Sequence, residues 1–420
     1  MILQTAKGVK DYNTDEKILR NEIVKTITSI FETYGFNPIE TPILERYETL
    51  AAKFGAGVAS EALKETFKLK DQGKRNLALR FEFTTSLARF IAINPQIKFP
   101  FKVYQIGPVF RDGPIKIGRL REFWQLDSDI IGSSSLLADA ELIEMTLRIF
   151  KELRLNAYLE VNDRNIMNAI LDKFNIKNKE DVIITIDKIK KLPLKEIKKE
   201  LKQKKLSEKT INGLLSILTF KGANDIIINK LKKLGIENEV KKIKELLSYV
   251  DKKKVRLNIS LARGLSYYTG TVFEGFLANN PISSICAGGR YDDIIGKFSG
   301  KEKIPAVGIS FGLEPIANAL IKNLTTKTQI YIIPIKTLKQ SLKIANMLRE
   351  KNINTDIDLL EKDISKNLDF ANKKAIPYVL FIGEKELKLN KVKLRDMKSG
   401  KESLLTIPEI VKLFNKREND

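Results

Sequence analysis

Residues 102–132 constrain the fold most. They read as two long strands on either side of a polar loop, which commits the first part of the chain to a sheet. KVYQIGPVFR leads in, DGPIKIGRL turns, and REFWQLDSDIIG leads out. Side chains alternate across a strand. The second strand therefore puts Phe123, Gln125, Asp127 and Asp129 on one face and Trp124, Leu126 and Ile130 on the other. A face carrying Gln, Asp and Asp either borders water or lines a polar site. Upstream, Asn13 and Glu16 have capping-box spacing. Ile23, Ile27, Ile30, Phe31 and Tyr34 share one face of the helix that follows, and Gly35 is placed to end it. FNPIETPILERYETL, 36–50, is extended around Pro38 and Pro42.

The pattern changes near residue 163. Residues 181–254 hold 20 Lys against 10 Asp and Glu, with Ile and Leu at helical spacing and one proline, Pro193. This reads as a small basic helical insert, whose lysines form either solvated helix faces or an RNA-facing surface. A polar linker follows at 322–329. Beyond it comes an α/β pattern. IYIIPI (330–335) is a buried strand, and 337–351 a helix with Leu338, Leu342, Ala345 and Leu348 on one side. NTDIDL is a strand, 365–376 a helix, and PYVLFIG a strand. VKLRD and ESLLT form a hairpin, and Thr406 with Glu409 caps a last helix. There is no internal repeat.

Composition limits the chemistry. A chain of 420 residues has room for two to four domains. With 43% hydrophobic and 30% charged residues it reads as soluble and globular. No apolar run approaches the ~20 residues of a membrane span. MILQTAKGVKDYNTDEK lacks the order of a signal peptide, so a cytoplasmic location is expected. The chain contains 0 His and 1 Cys, Cys286. That excludes a Ser-His-Asp triad, a Cys-His nucleophile, histidine-ligated zinc and an internal disulfide. Chemistry by positioning and electrostatics remains, with a metal held by carboxylates and phosphate oxygens. The net charge of +22 attracts polyanions.

LARGLSYYTGTVFEGF, 261–276, and AGGRYDD, 287–293, resemble the two signature peptides of the histidyl-tRNA synthetases. These are class II aminoacyl-tRNA synthetases that join histidine to its tRNA. FNPIETPILE resembles motif 1 of that class, which builds the dimer interface. LRFEFTTSLAR, 79–89, resembles the peptide that binds the amino acid's ammonium group. YQIGPVFRDGPIKIGRLREFWQ resembles motif 2, with a loop similar to the archaeal variant. IPAVGISFGLEPI resembles motif 3.

The resemblance implies roles residue by residue. Glu82 and Thr84 would meet the histidine amino end. Arg111 would hold the α-phosphate of ATP and the amino-acid carboxylate, Arg119 the γ-phosphate, and Phe123 the adenine. Gln125 would touch the histidine. Arg263 would sit against the α-phosphate, and with Arg111 and Gln125 it makes up the catalytic set. Tyr267, Tyr268 and Tyr291 would line the histidine pocket, with Tyr268 and Asp129 on the two imidazole nitrogens. No metal-ligating residue is singled out, but Mg2+ is expected with ATP. Two positions depart from the family pattern: Gly113 stands where a Glu is usual, and Pro315 where motif 3 ends in Arg.

The fold implied is an α+β catalytic domain over residues 1–325 with a mixed, mainly antiparallel sheet. A basic helical insertion interrupts it at 165–254, and an α/β anticodon-binding domain occupies 326–420. The implied activity is histidine–tRNA ligation, with histidine, ATP and tRNA(His) as partners, in a homodimer that needs no membrane. The alternatives are a catalytically silent paralogue, such as the regulatory subunit of ATP phosphoribosyltransferase, and a synthetase-like binding module.

Overall fold

The computed structural model describes residues 3–52, 61–115, 120–263, 267–300, 303–320 and 326–417. The chain divides into two compact units, one of residues 1–11 with 22–321 and one of residues 12–21 with 322–420. Residues 322–325 of the polar linker lie outside the described residues.

The first helix, α1 (Thr14–Thr33), starts on the capping box. The Asn13 N–H donates to Glu16 at 3.1 Å, and the Glu16 N–H to the Asn13 side chain at 2.9 Å. It stops at Gly35, whose φ of +79° suits a residue without Cβ. There the Phe36 N–H returns to the Phe31 carbonyl. Ile23, Ile27, Ile30 and Phe31 are buried, and Phe31 meets Tyr104 and Phe311 at ring distances of 5.6 and 6.0 Å.

Those rings belong to the main sheet. Its strands are β1 (Asn37–Pro38), β5 (Phe101–Phe110), β6 (Glu122–Ile131), β7 (Ala157–Asp163), β8 (Val255–Leu257), β9 (Thr271–Leu277), β10 (Asn280–Arg290) and β11 (Ala306–Gly312). Their order is β1-β5-β6-β11-β10-β9-β7-β8. Only β1–β5 and β7–β8 are parallel, so the sheet is mixed and mainly antiparallel. β2 (Leu44–Arg46), β3 (Lys68–Lys70) and β4 (Asn76–Leu79) form a small separate sheet. The helices α2 (Tyr47–Ala52), α3 (Glu61–Lys64), α4 (Thr84–Ala92), α5 (Leu136–Glu152), α12 (Asp292–Ser299) and α13 (Leu313–Ala319) complete this frame. Leu87, Ala88 and Ile91 of α4 share one core with Ile294 and Ile295 of α12.

Between β7 and β8 the chain leaves the sheet and forms six helices. These are α6 (Arg164–Lys173), α7 (Lys179–Ile186), α8 (Leu194–Gln203), α9 (Glu208–Leu218), α10 (Asn224–Lys233) and α11 (Glu237–Leu246). Ile197 and Leu201, four apart on α8, are fully buried, while Lys195 before them and Lys198 and Lys199 between them are exposed. β7 and β8 pair with each other, so the module is inserted between neighbouring strands.

The second unit carries β12 (Ile330–Ile335), β13 (Thr355–Ile357), β14 (Tyr378–Gly383), β15 (Val392–Asp396) and β16 (Glu402–Leu405), in the order β13-β12-β14-β15-β16. Its helices are α14 (Leu338–Arg349), α15 (Ile364–Lys373), α16 (Glu384–Lys388) and α17 (Ile407–Arg417). Alternate residues of IYIIPI bury on opposite faces. Ile330 and Ile332 pack with α14 and α17, and Tyr331 and Ile333 with α15. The buried face of α14 differs from the expected one. It carries Ser341, Ile344, Ala345 and Leu348, whereas Leu338 and Leu342 are 46% and 50% exposed. The Thr337 hydroxyl donates to the Ile382 carbonyl and meets the Ser341 hydroxyl at 3.0 Å, turning that polar edge inward. α16 has no counterpart in the sequence reading. Among the described residues no helix is long and apolar enough to cross a membrane.

Close packing at the centre of the main sheet depends on glycine. A Cβ at Gly288 of β10 would stand 2.1 Å from the Gly308 carbonyl oxygen and 2.8 Å from Ile309 Cα, both fixed backbone. Gly288→Ala is expected to destabilise the protein by about 1–3 kcal/mol, the usual cost of overpacking, as read by equilibrium denaturation. A neutral result would show that β10 and β11 can part without cost.

Candidate active site

The polar face of β6 is the floor of the site. Antiparallel register sets Gln125, Asp127 and Asp129 opposite Gly312, Ser310 and Gly308 of β11. The Gln125 side-chain amide donates to the Ser310 hydroxyl at 2.8 Å. A Cβ at Gly308 would stand 1.9 Å from an Asp129 oxygen, so glycine makes room for that carboxylate. Asp129 accepts the hydroxyl of Tyr291, which is itself buried. Asp127 is 6% exposed, and its Oδ1 has no hydrogen-bond partner among the described residues. Burial first, and then the Asp129 charge, push the Asp127 carboxyl well above the usual carboxylate range.

A third carboxylate stands close by. Glu82 precedes α4 and accepts the N–H groups of Thr84 and Thr85 at 2.9 and 3.0 Å, and the Thr85 hydroxyl. Its charge acts on Asp127, Tyr267 and Tyr291. Thr84 meets Glu82 through its backbone, and its side chain is half-buried. Three tyrosines pack beside these carboxylates. Tyr267 and Tyr268 lie 4.5 Å apart with hydroxyls at 3.5 Å, and Tyr291 meets Tyr267 edge-on at 6.5 Å. The Tyr267 hydroxyl is pushed up to about 12 by burial and then by Glu82.

Cations occupy the adjoining side. The Arg111 Nε donates to the Phe81 carbonyl at 3.2 Å, and its guanidinium lies 4.9 Å from the Phe123 ring centroid. Arg263 has a φ of +44°, a strained value for a residue with a side chain. Its guanidinium reaches Glu274 at 3.4 Å and lies 5.8 Å from the Tyr268 ring. Burial works against its charge, but Tyr268, Glu274, Tyr267 and Asp187 outweigh it and hold it above the ordinary arginine range. Arg111, Phe123, Gln125 and Arg263 all line one cavity of about 470 Å³. A volume of that size suits a nucleotide-sized ligand.

Of the site residues expected from the sequence, Arg111, Phe123, Gln125 and Arg263 line one cavity, while Glu82, Asp129, Tyr267, Tyr268 and Tyr291 are linked to one another by hydrogen bonds, ring contacts and charge, and Arg119 lies outside the described residues. Several residues on the cavity wall carry no marker in the sequence motifs. Ser310 and Glu314 line it, Glu314 accepting the Trp124 N–H at 3.0 Å, and so does Lys191 from the inserted helices. Period-two alternation in AVGISFG could have found Ser310, but no local pattern marks Lys191. Gly113 is buried, and a Cβ there would stand 2.6 Å from the Glu65 carboxylate, so a carboxylate already fills that space. Pro315 lines the cavity as an apolar wall. Arg290, in AGGRYDD, is structural. It is 2% exposed, pairs with the fully buried Asp139, and donates to the Ser133 and Ser135 carbonyls.

A mainly antiparallel sheet whose face carries an arginine-lined cavity beside a cluster of buried carboxylates and tyrosines, with the structural and family matches that follow, places the chain among the class II aminoacyl-tRNA synthetases. The histidyl-tRNA synthetase family model matches residues 8–316, and an anticodon-binding domain model matches residues 329–417. A histidine–tRNA ligase 1 of Bacillus cereus is 43% identical over 96% of this chain and 95% of that relative. The crystal structure of a Nostoc histidyl-tRNA synthetase is 28% identical and superposes with a TM-score of 0.88, covering 99% of this chain and all 100% of that one. An ATP phosphoribosyltransferase regulatory subunit/histidyl-tRNA synthetase of Bacillus halodurans shares the fold, with a TM-score of 0.75 at 21% identity over 88% of this chain and 96% of that one. The chain belongs to the histidyl-tRNA synthetase family.

The raised Asp127 carboxyl has a consequence for stability. Folding favours its protonated form, so what it contributes is present below the ordinary carboxylate pKa and is lost as pH rises through the higher folded value. Asp127→Asn should therefore raise the unfolding temperature at pH 7, with the gain shrinking toward about pH 4. An equal shift at both pH values would show that Asp127 is ionised without penalty.

Proposed function

We propose that the protein is a histidine–tRNA ligase whose 470 Å³ cavity holds ATP against the acidic pocket that takes histidine. The observation that carries this reading is the meeting of Arg111, Phe123, Gln125 and Arg263 on one cavity wall, beside a cluster of buried carboxylates and tyrosines. The histidine carboxylate attacks the α-phosphorus of ATP in line. A P–O bond forms to that carboxylate while the bond to pyrophosphate breaks. The terminal ribose 3′ hydroxyl of tRNA(His) then attacks the adenylate carbonyl and AMP leaves. Neither step needs an enzyme nucleophile, which fits a chain with 0 His and one buried cysteine.

Arg111 and Arg263 meet the α-phosphate, where fixed guanidinium groups stabilise charge developing on its oxygens. Phe123 stacks on the adenine and Pro315 offers it a second apolar surface. Arg119 is assigned the γ-phosphate by resemblance. Glu82, Asp127 and Gln125 form a polar end for the histidine ammonium, and the Thr84 backbone helps to fix Glu82. Asp129, oriented by Tyr291, and Tyr268 address the imidazole between the rings of Tyr267 and Tyr291.

Among the described residues no three acidic or cysteine side chains are grouped to hold a metal. Magnesium would instead arrive on the triphosphate oxygens, with Glu314 as the carboxylate on the cavity wall, and would neutralise phosphate charge. The protein works in the cytoplasm as a homodimer. The silent-paralogue reading is disfavoured by the retained Arg111 and Arg263 and by the domain at residues 329–417.

Two measurements test this reading. Arg263→Ala should lower histidine-dependent ATP–pyrophosphate exchange by about 100–1000-fold while the fold survives, and near-normal exchange would remove the arginine from the reaction. Charging of whole tRNA(His) should be compared with that of an acceptor minihelix lacking the anticodon arm. The minihelix should show a KM raised by about 100-fold and a shallower salt dependence, because the second unit then has no ligand. Equal KM values would mean that residues 329–417 do not read the anticodon.

A further inference from the structure

We propose that Lys191, from the inserted helices, is a phosphate-binding residue of the ATP cavity and adds a further cation to the wall that carries Arg111 and Arg263. The inference rests on the reading of that cavity as the ATP site. Three observations on different residues lead to it.

The first is position. Lys191 lines the same cavity as Arg111, Arg263 and Pro315, though it lies far from them in sequence and belongs to the module between β7 and β8. The second is anchorage. Residues 187–192 form a tight turn after α7, in which the Lys191 and Leu192 N–H groups return to the Lys188 carbonyl at 2.8 and 2.9 Å. The flanking lysines are both engaged. Lys188 pairs with Glu200 of α8, within the module. Lys190 pairs with Glu160 of β7 and lies 3.6 Å from the ring centroid of Phe276 on β9, which ties the turn to the main sheet. At the head of the turn, Asp187 adds to the field that keeps Arg263 charged.

The third is the free charge. Lys188 and Lys190 have carboxylate partners, whereas the exposed Lys191 ammonium has no ion pair or hydrogen bond among the described residues. The lining of this cavity carries the three cations Lys191, Arg111 and Arg263 against one carboxylate, Glu314, and this excess of positive charge is lowered when an anion enters. A triphosphate meets that requirement, and Pro315 brings no charge of its own to the wall. Lysine suits a contact that must also release pyrophosphate, because its ammonium is a compact point charge on a flexible stem.

Phosphate oxygens could come from ATP or from the tRNA end, and exchange measured without tRNA separates them. Lys191→Ala should raise the ATP KM by roughly 10-fold or more, leaving the histidine KM in place, as expected for loss of one charge-assisted contact. Lys191→Arg should recover most of the loss. Lys195→Ala, an exposed lysine on α8, should leave the ATP KM unchanged. An unchanged ATP KM in Lys191→Ala overturns the proposal, even if the tRNA KM moves, and so does an equal rise in Lys195→Ala. Absence of exchange in the unaltered protein would instead overturn the reading of the cavity itself.

Discussion

Two carboxylates buried side by side on β6 are the constraint around which the rest of the site is arranged. Asp127 and Asp129 lie on one strand face at a spacing set by the backbone, and neither can move without breaking the β5–β6–β11 pairing. Burying a carboxylate is costly unless it is hydrogen-bonded or paired. The surroundings answer this unequally. Asp129 has Tyr291 and the space left by Gly308, while Asp127 keeps an unpartnered oxygen and a raised pKa. Ser310 and the Arg111 charge offset only part of that burial, and a buried carboxyl left in this state is a common mark of a site built for a cationic or hydrogen-bonding ligand. Histidine, with its ammonium and imidazole, is a ligand of that kind.

The opposite side of the site follows a matching logic. Arg111 and Arg263 are held by a backbone carbonyl and by Glu274, and each guanidinium lies near an aromatic ring. In the proposed reaction, cations fixed before the ligand arrives avoid reorganisation when charge develops on phosphate. The left-handed backbone at Arg263 is part of that arrangement, since strain of this kind persists only where the surrounding structure over-determines it. In a chain without histidine side chains, catalysis by placed charges is also the chemistry that remains.

Much of this was legible beforehand. The capping boxes at Asn13 and Thr406, the alternation on β6 and the buried strand at 330–335 are local patterns, and each appears in the structure. The buried face of α14 departs from its hydrophobic spacing, which favours Leu338 and Leu342, because the hydroxyls of Thr337 and Ser341 turn a different edge inward. Arg290 carried no sign that it would be buried with Asp139 rather than face a ligand.

By itself the sequence determined the longer elements, the polar face of β6, the family peptides and the exclusion of histidine and thiol chemistry. These depend on neighbours in the chain and on residue type. Only the tertiary structure decided which distant side chains meet: Ser310 beside Gln125, Tyr291 on Asp129, Glu65 against Gly113, and Lys191 on the wall with Arg263. The reason is physical. Strand register and helix docking, which bring such residues together, are set by the packing of whole faces, and no short window of sequence contains that information.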